Sequence, residues 1–209
     1  MKLNPMKPHK KEFFNRYASE WDEITSHDPK KLKLIVKLLS LKAGQNVLDV
    51  GSGTGVMIPF LNHYLKNTGK IVAVDFSEKM IEIARSKYSD KKYGNVEFVI
   101  QDINDMNMNH QYDVILCYSC FPHFNDKVAT IKHLTKGLSL GGKLMIAHSE
   151  SRKSINEIHK DTMEVNNDLL PTMSKIEHML KIAGLETIKK IDNNEMFLII
   201  SKLLDNNNH

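Results

Sequence analysis

The sequence predicts a doubly wound α/β domain, in which helices cover both faces of a mostly parallel sheet. From about residue 42 onward, short apolar runs alternate with longer segments of helical period. The predicted strands are residues 46–50, 70–75, 95–100, 112–117 and 142–148. The predicted helices are residues 56–67, 77–88 and 126–138. This alternation is typical of βαβ units, whose strands are parallel.

Length and composition fit one globular domain. The chain has 209 residues, and domains commonly contain about 100–200 residues. Its apolar and charged fractions, 41% and 26%, are ordinary for globular proteins. No apolar run approaches the roughly 20 residues of a membrane-spanning helix. We therefore expect one domain over residues 1–204, no membrane insertion, and a disordered polar tail at residues 205–209.

The two ends of the domain depart from the βα alternation. Helices predicted at residues 10–23 and 30–41 form an N-terminal helical cap within residues 1–41. The first groups aromatic side chains on one face, which serves either as core or as a flap over a ligand. Near the other end, a helix at residues 171–183 precedes two apolar segments joined by a short turn. These segments predict a hairpin that adds one antiparallel strand.

Charge and cysteine content exclude several classes of protein. The formal net charge is +4, but the lysines are interspersed with acids and only three arginines occur, which disfavours nucleic acid as a partner. The first residues are basic without a following apolar run, so we expect no secretory signal and a cytoplasmic location. Cys117 and Cys120 lack a second cysteine pair for a zinc site, and we interpret them as small residues near a strand end.

The most informative segment is residues 46–55, where an apolar strand leads into three alternate glycines and then a helix. Such glycines permit a sharp turn and close approach of a nucleotide-type ligand to the main chain. The spacing is not the G-x-G-x-x-G of dinucleotide enzymes, since Val56 occupies the last glycine position. Asp49 would repel a diphosphate and attract a cation. S-adenosylmethionine (SAM), which carries an ammonium and a sulfonium but no phosphate, fits this pattern better than NAD.

A second acid follows the next strand. Asp75 lies 20 residues after Gly55, at the end of the predicted strand 70–75. A carboxylate at this position can accept hydrogen bonds from both hydroxyls of a ribose. Because it follows the glycine loop at this distance, we predict that Asp75 binds the ribose of the ligand.

Further motifs occur in order along the chain. Residues 99–103 are Val-Ile-Gln-Asp-Ile, residues 112–117 are Tyr-Asp-Val-Ile-Leu-Cys, and residues 141–144 are Gly-Gly-Lys-Leu. The first predicted helix contains Phe14, Tyr17, Ala18, Trp21 and Asp22. Together with the glycine loop and Asp75, these motifs resemble the class I SAM-dependent methyltransferases, particularly the small-molecule branch related to the ubiquinone and menaquinone C-methyltransferases. The resemblance covers about residues 14–146.

The resemblance implies a Rossmann-like, mostly parallel seven-stranded sheet with a C-terminal antiparallel strand, SAM as cofactor, and a small-molecule methyl acceptor. The glycine loop would hold the amino-acid part of SAM, Asp75 the ribose and Asp102 the adenine amine. The fourth strand would end near the sulfur, and the first helix would fold over the cofactor. The expected cofactor-binding residues are Tyr17, Asp49, Gly51, Ser52, Gly53, Thr54, Gly55, Asp75, Phe76, Met80, Asp102, Ile103 and Cys117.

Three histidines follow the predicted fourth and fifth strands, where the ligand crevice should open. His123 and His148 are candidate catalytic bases, because imidazole has an ordinary pKa of about 6.5. With His159 they could instead bind a divalent metal, although their spacing matches no known zinc pattern. A third alternative is that they are surface or structural residues. The family resemblance does not assign them.

Residues 149–170 are expected to form an acceptor-side cover together with the N-terminal helix, and to determine specificity. Arg152 in this segment could meet an anionic group of the acceptor. The alternatives are a protein or RNA methyltransferase, a non-catalytic SAM- or metal-binding protein, and an NAD-dependent oxidoreductase, which the glycine spacing disfavours. We expect a monomer or a homodimer, and the sequence leaves the methylated atom open.

Overall fold

A computed structural model describes residues 8–204 of the chain. Across these residues it has eight α-helices, seven β-strands and several short 3-10 turns. The predictions for the first seven residues of the cap and for the disordered tail at residues 205–209 lie outside the described residues. No helix between residues 8 and 204 combines the length and apolar character needed to cross a membrane.

The N-terminal cap contains three helices rather than the two predicted. A 3-10 turn at Ala18–Glu20 divides the first predicted helix into two. The third helix begins after Asp28, whose side chain accepts a hydrogen bond from the Lys30 N–H, with Pro29 in its first turn. The cap helices are α1 Pro8–Tyr17, α2 Trp21–Ile24 and α3 Pro29–Leu39.

Most of the remaining elements follow the predicted alternation of strands and helices. They are β1 Val47–Val50, α4 Ile58–Leu65, β2 Ile71–Asp75, α5 Glu78–Lys87, β3 Val96–Ile100, β4 Tyr112–Tyr118, α6 Lys127–Thr135, β5 Leu138–His148, α7 Arg152–Lys160, α8 Met173–Ile182, β6 Leu185–Asp192 and β7 Phe197–Leu203. Ser77 is the N-cap of α5, since its hydroxyl accepts a hydrogen bond from the Met80 N–H at 3.2 Å.

The seven strands form one sheet in the order β3-β2-β1-β4-β5-β7-β6. Strands β1 to β5 pair in parallel, and β7 is antiparallel to both β5 and β6. The predicted sheet with one antiparallel C-terminal strand is therefore confirmed. The order of strands reverses between β1 and β4, and ligands of doubly wound sheets bind beyond the carboxyl ends of strands at such a point.

The core lies on both faces of the sheet, which explains why β1 and β2 are apolar without alternation. Adjacent residues of β1 point to opposite faces. Val47 belongs to a cluster with Ile35 of α3 and Leu61 of α4, whereas Leu48 belongs to a cluster with Leu134 of α6 and Leu180 of α8. Burial on both faces holds the central strand ends in place beneath the glycine loop.

Two elements differ from the prediction. Strand β5 begins at Leu138 rather than residue 142, because Leu138 pairs with Tyr112 before a shift of register. Gly141, with φ +71°, permits this irregular segment. Within the cover, α7 forms a helix that the sequence analysis did not assign. Ser151 caps it by accepting a hydrogen bond from the Ser154 N–H at 3.1 Å.

A buried lysine fastens the cap to the rest of the protein. The Lys10 ammonium donates to the Asp168 carboxylate at 2.7 Å and to the His123 carbonyl at 3.1 Å. Its side chain is only 5% exposed. The neighbouring Lys11 instead pairs with Glu78 at the surface, where both side chains are about 40% exposed (41% and 42%).

We expect Lys10→Met to lower the free energy of unfolding by about 3–5 kcal/mol, because it leaves the buried Asp168 carboxylate without its cation. The matched variant Lys11→Met should lower it by less than about 1 kcal/mol, since an exposed ion pair contributes little. Urea denaturation followed by circular dichroism measures both. Equal effects of the two substitutions would show that Lys10 does not fasten the cap.

Candidate active site

A cavity of about 530 Å³ lies at the carboxyl ends of the central strands. The glycine loop after β1 and the end of β2 form one wall. The turns after β4 and β5 form another, and the N-terminal cap and α7 close it from above. Asp49, Asp75, Phe14, His123 and Ile155 all line this space. The cavity therefore occupies the position expected from the reversal of strand order.

The glycine loop depends on glycine for its backbone conformation, and at Gly51 also for space. Gly51 has φ +62°, and a Cβ atom there would lie 2.6 Å from Cβ of Cys120. Gly53 has φ +54° and faces open space, with Nε1 of Trp21 3.9 Å from the position of its Cβ. The N–H of Ser52 bonds the Val74 carbonyl at 3.0 Å, which ties the loop to β2. The loop thus exposes main chain to the cavity.

Asp49 is a buried carboxylic acid without a compensating charge. It is 1% exposed, and its Oδ2 has no hydrogen-bond donor among residues 8–204. Burial, together with the nearby Asp75, raises the pKa of Asp49 to about 8. A buried acid in this state is stabilised as a carboxylate by a cation. Asp49 is therefore suited to bind a positive group.

Asp75 is buried too, but it is held by main-chain donors. Its Oδ2 accepts the Gly53 N–H at 3.0 Å and its Oδ1 accepts the Ser77 N–H at 2.9 Å. Burial raises its pKa to about 6 despite these hydrogen bonds. Each carboxylate oxygen has a second lone pair. The group can therefore accept two further hydrogen bonds from a ligand in the cavity.

Most of the predicted cofactor residues surround this cavity. The lining includes Asp49, Gly51, Ser52, Gly53, Thr54, Asp75, Phe76, Met80 and Ile103. The structure brings these residues together mainly from the ends of β1, β2 and β3. The first and last of them, Asp49 and Ile103, are 54 positions apart along the chain.

Four predicted residues lie outside the lining. Gly55 lies behind the loop, where a Cβ would come 2.7 Å from the Tyr88 ring. Tyr17 packs on Phe13, while Phe13, Phe14 and Trp21 of the same segment line the cavity. The Asp102 side chain accepts hydrogen bonds from Asn104, and its neighbours Gln101 and Ile103 line the cavity instead.

Cys117, the fourth, is fully buried in β4 opposite Val50. Both cysteines are free thiols. Cys120 donates its S–H to the Val50 carbonyl at 3.0 Å, and burial raises its pKa well above the ordinary value. The cysteines are therefore packing residues at the end of a strand, as the sequence predicted, and Cys120 rather than Cys117 reaches the cavity.

The cap connects directly to the glycine loop. Asp22 accepts a hydrogen bond from the Thr54 hydroxyl and pairs with Lys87 of α5. The Phe14 ring makes edge contacts with the Phe76 and Trp21 rings at centroid distances of 5.7 and 5.4 Å. A ligand bound on the loop would therefore be covered by aromatic side chains.

The three histidines of the sequence analysis lie around the other end of the cavity. His123 Nδ1 is 2.9 Å from Asp168 Oδ2, and His159 Nδ1 bonds the Asp168 carbonyl. The His123 and His159 rings are 5.0 Å apart. Sequence reasoning missed Asp168, because it lies in an irregular loop 45 residues after His123 with no local motif.

His123 and His148 differ as candidate bases. Burial lowers the pKa of His123 below its ordinary value, although Asp168 opposes this effect. Burial, with smaller contributions from His123 and His159, lowers the pKa of His148 to about 3. The His148 Nε2 also lacks a hydrogen-bond partner in the described chain. His148 is thus a weak proton acceptor, and the geometry favours His123.

The metal hypothesis and the Arg152 hypothesis gain no support. In the part of the chain that the structure describes, no three His, Cys, Asp or Glu side chains are arranged to hold a metal ion. Nδ1 of His123 bonds the Asp168 carboxylate and Nδ1 of His159 bonds the Asp168 carbonyl, so neither Nδ1 is available as a metal ligand. Arg152 bonds Asp192 at 3.4 Å and does not line the cavity.

The family of the protein follows from comparison with known proteins. Residues 41–203 match the family model of a methyltransferase domain. The chain belongs to the SAM-dependent methyltransferase family. The match spans β1 to β7 and so includes the glycine loop, both carboxylates and the α7 cover.

Individual relatives agree with this family. A malonyl-[acyl-carrier protein] O-methyltransferase of Acetivibrio thermocellus is 30% identical over 148 residues, which are 70% of this chain and 50% of that protein. A ubiquinone/menaquinone biosynthesis C-methyltransferase of Pseudomonas aeruginosa is 26% identical over 79% of this chain and 67% of its own length. The chain thus spans half the length of the first of these curated relatives.

Solved structures share the fold. A SAM-dependent methyltransferase from Aquifex aeolicus superposes with a TM-score of 0.72 at 21% identity, over 91% of this chain and 98% of that one. The residues of the cavity also fit SAM. The uncompensated Asp49 carboxyl suits a cationic ligand, Asp75 can accept ribose hydroxyls, and Gly53 leaves the loop open to close approach.

We expect binding of SAM to this methyltransferase to release up to about one proton at pH 6.5, because a ligand ammonium favours the Asp49 carboxylate over the protonated acid. At that pH an α-amino group, with an ordinary pKa of about 7.7–8.0, is already protonated. Calorimetric titration in two buffers of different ionisation enthalpy measures the release.

The Asp49→Asn variant should release no proton from this position and bind SAM more weakly. Asp113→Asn is the matched control, because that carboxylate accepts the Asn46 N–H at 2.8 Å at the opposite end of the sheet. Proton release that persists in Asp49→Asn at the wild-type level would exclude Asp49 as its source.

Proposed function

We propose that this protein transfers the methyl group of SAM to a small-molecule acceptor bound beneath α7. The observation that supports this most strongly is Asp49, a buried acid whose Oδ2 lacks a donor and which faces a cavity beside a second carboxylate. A cationic ligand stabilises the carboxylate form of Asp49, whereas a diphosphate would disfavour that form further and would meet no Lys or Arg among the described residues that line the cavity. NAD is therefore disfavoured on the same grounds.

In this proposal different residues of the cavity bind the different parts of SAM. Asp49 and the loop at residues 51–54 hold the amino-acid part of SAM, and Asp75 holds the ribose. The segment around Asp102 and Ile103 meets the adenine. SAM supplies an activated methyl group on a sulfonium. The protein's own contribution is to align the acceptor with that group and to exclude water, which the cap aromatics Phe14 and Trp21 support.

The cover at residues 149–170 shapes the acceptor end. Its residues Ser154, Ile155, Ile158, Thr162 and Val165 line the cavity opposite the glycine loop. We propose that this segment determines specificity. A cavity of about 530 Å³ has the size of a pocket for a ligand of drug-like dimensions. Because the same cavity also contains the cofactor end, only part of this volume is left for the acceptor, and the cap and α7 lie over it, which favours a small molecule.

The curated relatives do not fix the acceptor. The names of the two given above denote an O-methyltransferase and a C-methyltransferase. Their acceptors differ in chemistry, and this chain is at most 30% identical to either. Which atom is methylated must therefore be inferred from the residues of this protein's own acceptor site.

The proposed function predicts that the label from methyl-labelled SAM, incubated with the protein and a bacterial cell extract, enters molecules of low molecular mass. S-adenosylhomocysteine (SAH) should form in equal amount. Ultrafiltration followed by scintillation counting separates the two classes of product, and heat-inactivated protein is the control. Label confined to protein or RNA would show a macromolecular substrate, and SAM binding without SAH formation would show a sensor.

A further inference from the structure

The acceptor end of the cavity indicates which kind of molecule is methylated. Resting on the proposed function, we infer that the acceptor is an uncharged, phenol-like molecule and that His123, positioned by Asp168, takes the proton of its hydroxyl. Nothing in the family match assigns either residue. Three properties of the cavity carry the inference: its charge, its apolar lining and the geometry of the imidazole.

The charge of the lining disfavours anionic acceptors. Among the described residues that line the cavity, none is Lys or Arg, whereas Asp49, Asp75 and Glu150 are acids. The nearest buried cation, Lys10, is already engaged by the Asp168 carboxylate, the His123 carbonyl and Asn125. A carboxylate or phosphate on the acceptor would therefore enter without a counter-charge, which is costly in a buried site.

The acceptor end combines apolar and aromatic side chains with a few neutral polar ones, Ser154 and Thr162 among them. Ile155, Val165 and Phe124 line the cavity and are at most 6% exposed, and Phe14 lines it too. Flat apolar molecules bury a large area between such side chains. An aromatic ring that carries one polar group is therefore complementary to this part of the site.

The polar group that the ring meets is His123. Burial would raise the pKa of Asp168, but hydrogen bonds from His123 and Lys10 hold it below the ordinary value, so the group is a carboxylate. It can only accept hydrogen bonds, so Nδ1 of His123 carries the proton that it donates across 2.9 Å. Nε2 is then the unprotonated nitrogen. No residue of the described chain bonds it, and the ring lines the cavity.

Asp168 and Phe14 fix the direction of this ring. The Asp168 carboxylate is itself held by Lys10 at 2.7 Å, and the Phe14 ring makes an edge contact with the imidazole at 5.3 Å. His159 and His148 also line the cavity, but His159 Nδ1 bonds a backbone carbonyl, which stabilises an imidazolium less than a carboxylate does, and burial leaves His148 with little basicity. His123 is therefore the imidazole best placed to accept a proton from the acceptor.

The basicity of imidazole determines which kind of acceptor hydroxyl His123 can deprotonate. A phenol such as the tyrosine side chain has a pKa of about 10, a few units above the ordinary imidazole value of about 6.5. Burial lowers the pKa of His123 below that value, so the proton must move together with methyl transfer rather than before it. An aliphatic alcohol resembles water, with a pKa of about 15.7, and is too weak an acid for this base. A phenol can transfer its proton as its oxygen attacks.

The proposed methyl transfer forms an oxygen–carbon bond and breaks a sulfur–carbon bond. The proton passes from the phenol oxygen to Nε2 of His123, and an oxygen electron pair forms the new bond to the methyl carbon. The electron pair of the broken sulfur–carbon bond stays on sulfur, which becomes the neutral thioether of SAH. The products are a methyl ether, SAH and the imidazolium of His123, which Asp168 stabilises. The imidazolium then returns its proton to solvent.

Matched acceptors test the substrate class. The probes are methyl para-hydroxybenzoate and beta-naphthol as neutral phenols, para-hydroxybenzoate as a phenol with a carboxylate, methyl para-aminobenzoate as an amine, and benzyl alcohol. We expect SAH formation and a methyl ether, identified by mass spectrometry, only with the neutral phenols. Turnover confined to the carboxylate, the amine or the alcohol, or no turnover of any phenol by protein that binds SAM, would overturn the inference.

Variants test the base. With the neutral phenol, His123→Ala should lower kcat roughly 10²–10⁴-fold with little change in KM or SAM affinity. Asp168→Asn should lower kcat at least about tenfold, because an amide does not stabilise the imidazolium. His123→Asn, which can still donate to Asp168, preserves the contact and should also be inactive. His133→Ala removes an imidazole that bonds the Met106 carbonyl away from the cavity, and should keep wild-type kinetics.

The outcomes separate the two proposals. Wild-type kcat in His123→Ala or His123→Asn would exclude His123 as the base. If Asp168→Asn weakens SAM binding and raises KM as much as it lowers kcat, Asp168 is only structural and the positioning role fails. Absence of SAM binding by the wild-type protein would instead refute the proposed function itself. Added imidazole should restore part of the activity of His123→Ala.

Discussion

The burial of two acids side by side, at the carboxyl ends of β1 and β2, is the constraint on which the site depends. Asp49 and Asp75 belong to strands that are covered on both faces, so neither side chain can turn toward solvent. Asp75 is satisfied by backbone N–H groups, whereas Asp49 keeps an oxygen without a donor. The fold thus maintains a buried acid whose ionised form is stabilised when a cation binds there.

The N-terminal cap and the α7 cover turn this position into an enclosed cavity. Asp22 holds the cap to the glycine loop, and Lys10 holds it to Asp168, the residue that orients His123. The cofactor end and the acceptor end are therefore linked through one helical segment. Displacement of the segment from α1 to α2 would therefore remove contacts at both ends.

The sequence predicted the fold, and most of the residues expected to bind the cofactor line one cavity, because both depend on local patterns. Strands buried on both faces are continuous apolar runs, and the alternate glycines with Asp49 and Asp75 follow them at fixed spacing. The acceptor end was predicted less well. Asp168 and Lys10 lie 158 residues apart and meet only in the folded chain. Arg152 and Asp192 likewise show why a basic residue in sequence need not face a ligand.

The central claim is that the buried carboxylates select an adenosyl ligand with an ammonium over a dinucleotide with a diphosphate. Calorimetric titration of the 209-residue protein with SAH and, separately, with NAD tests this most directly. Micromolar binding of SAH with no detectable binding of NAD is the expected result. Binding of NAD by folded protein that does not bind SAH would contradict the assignment of Asp49 and Asp75.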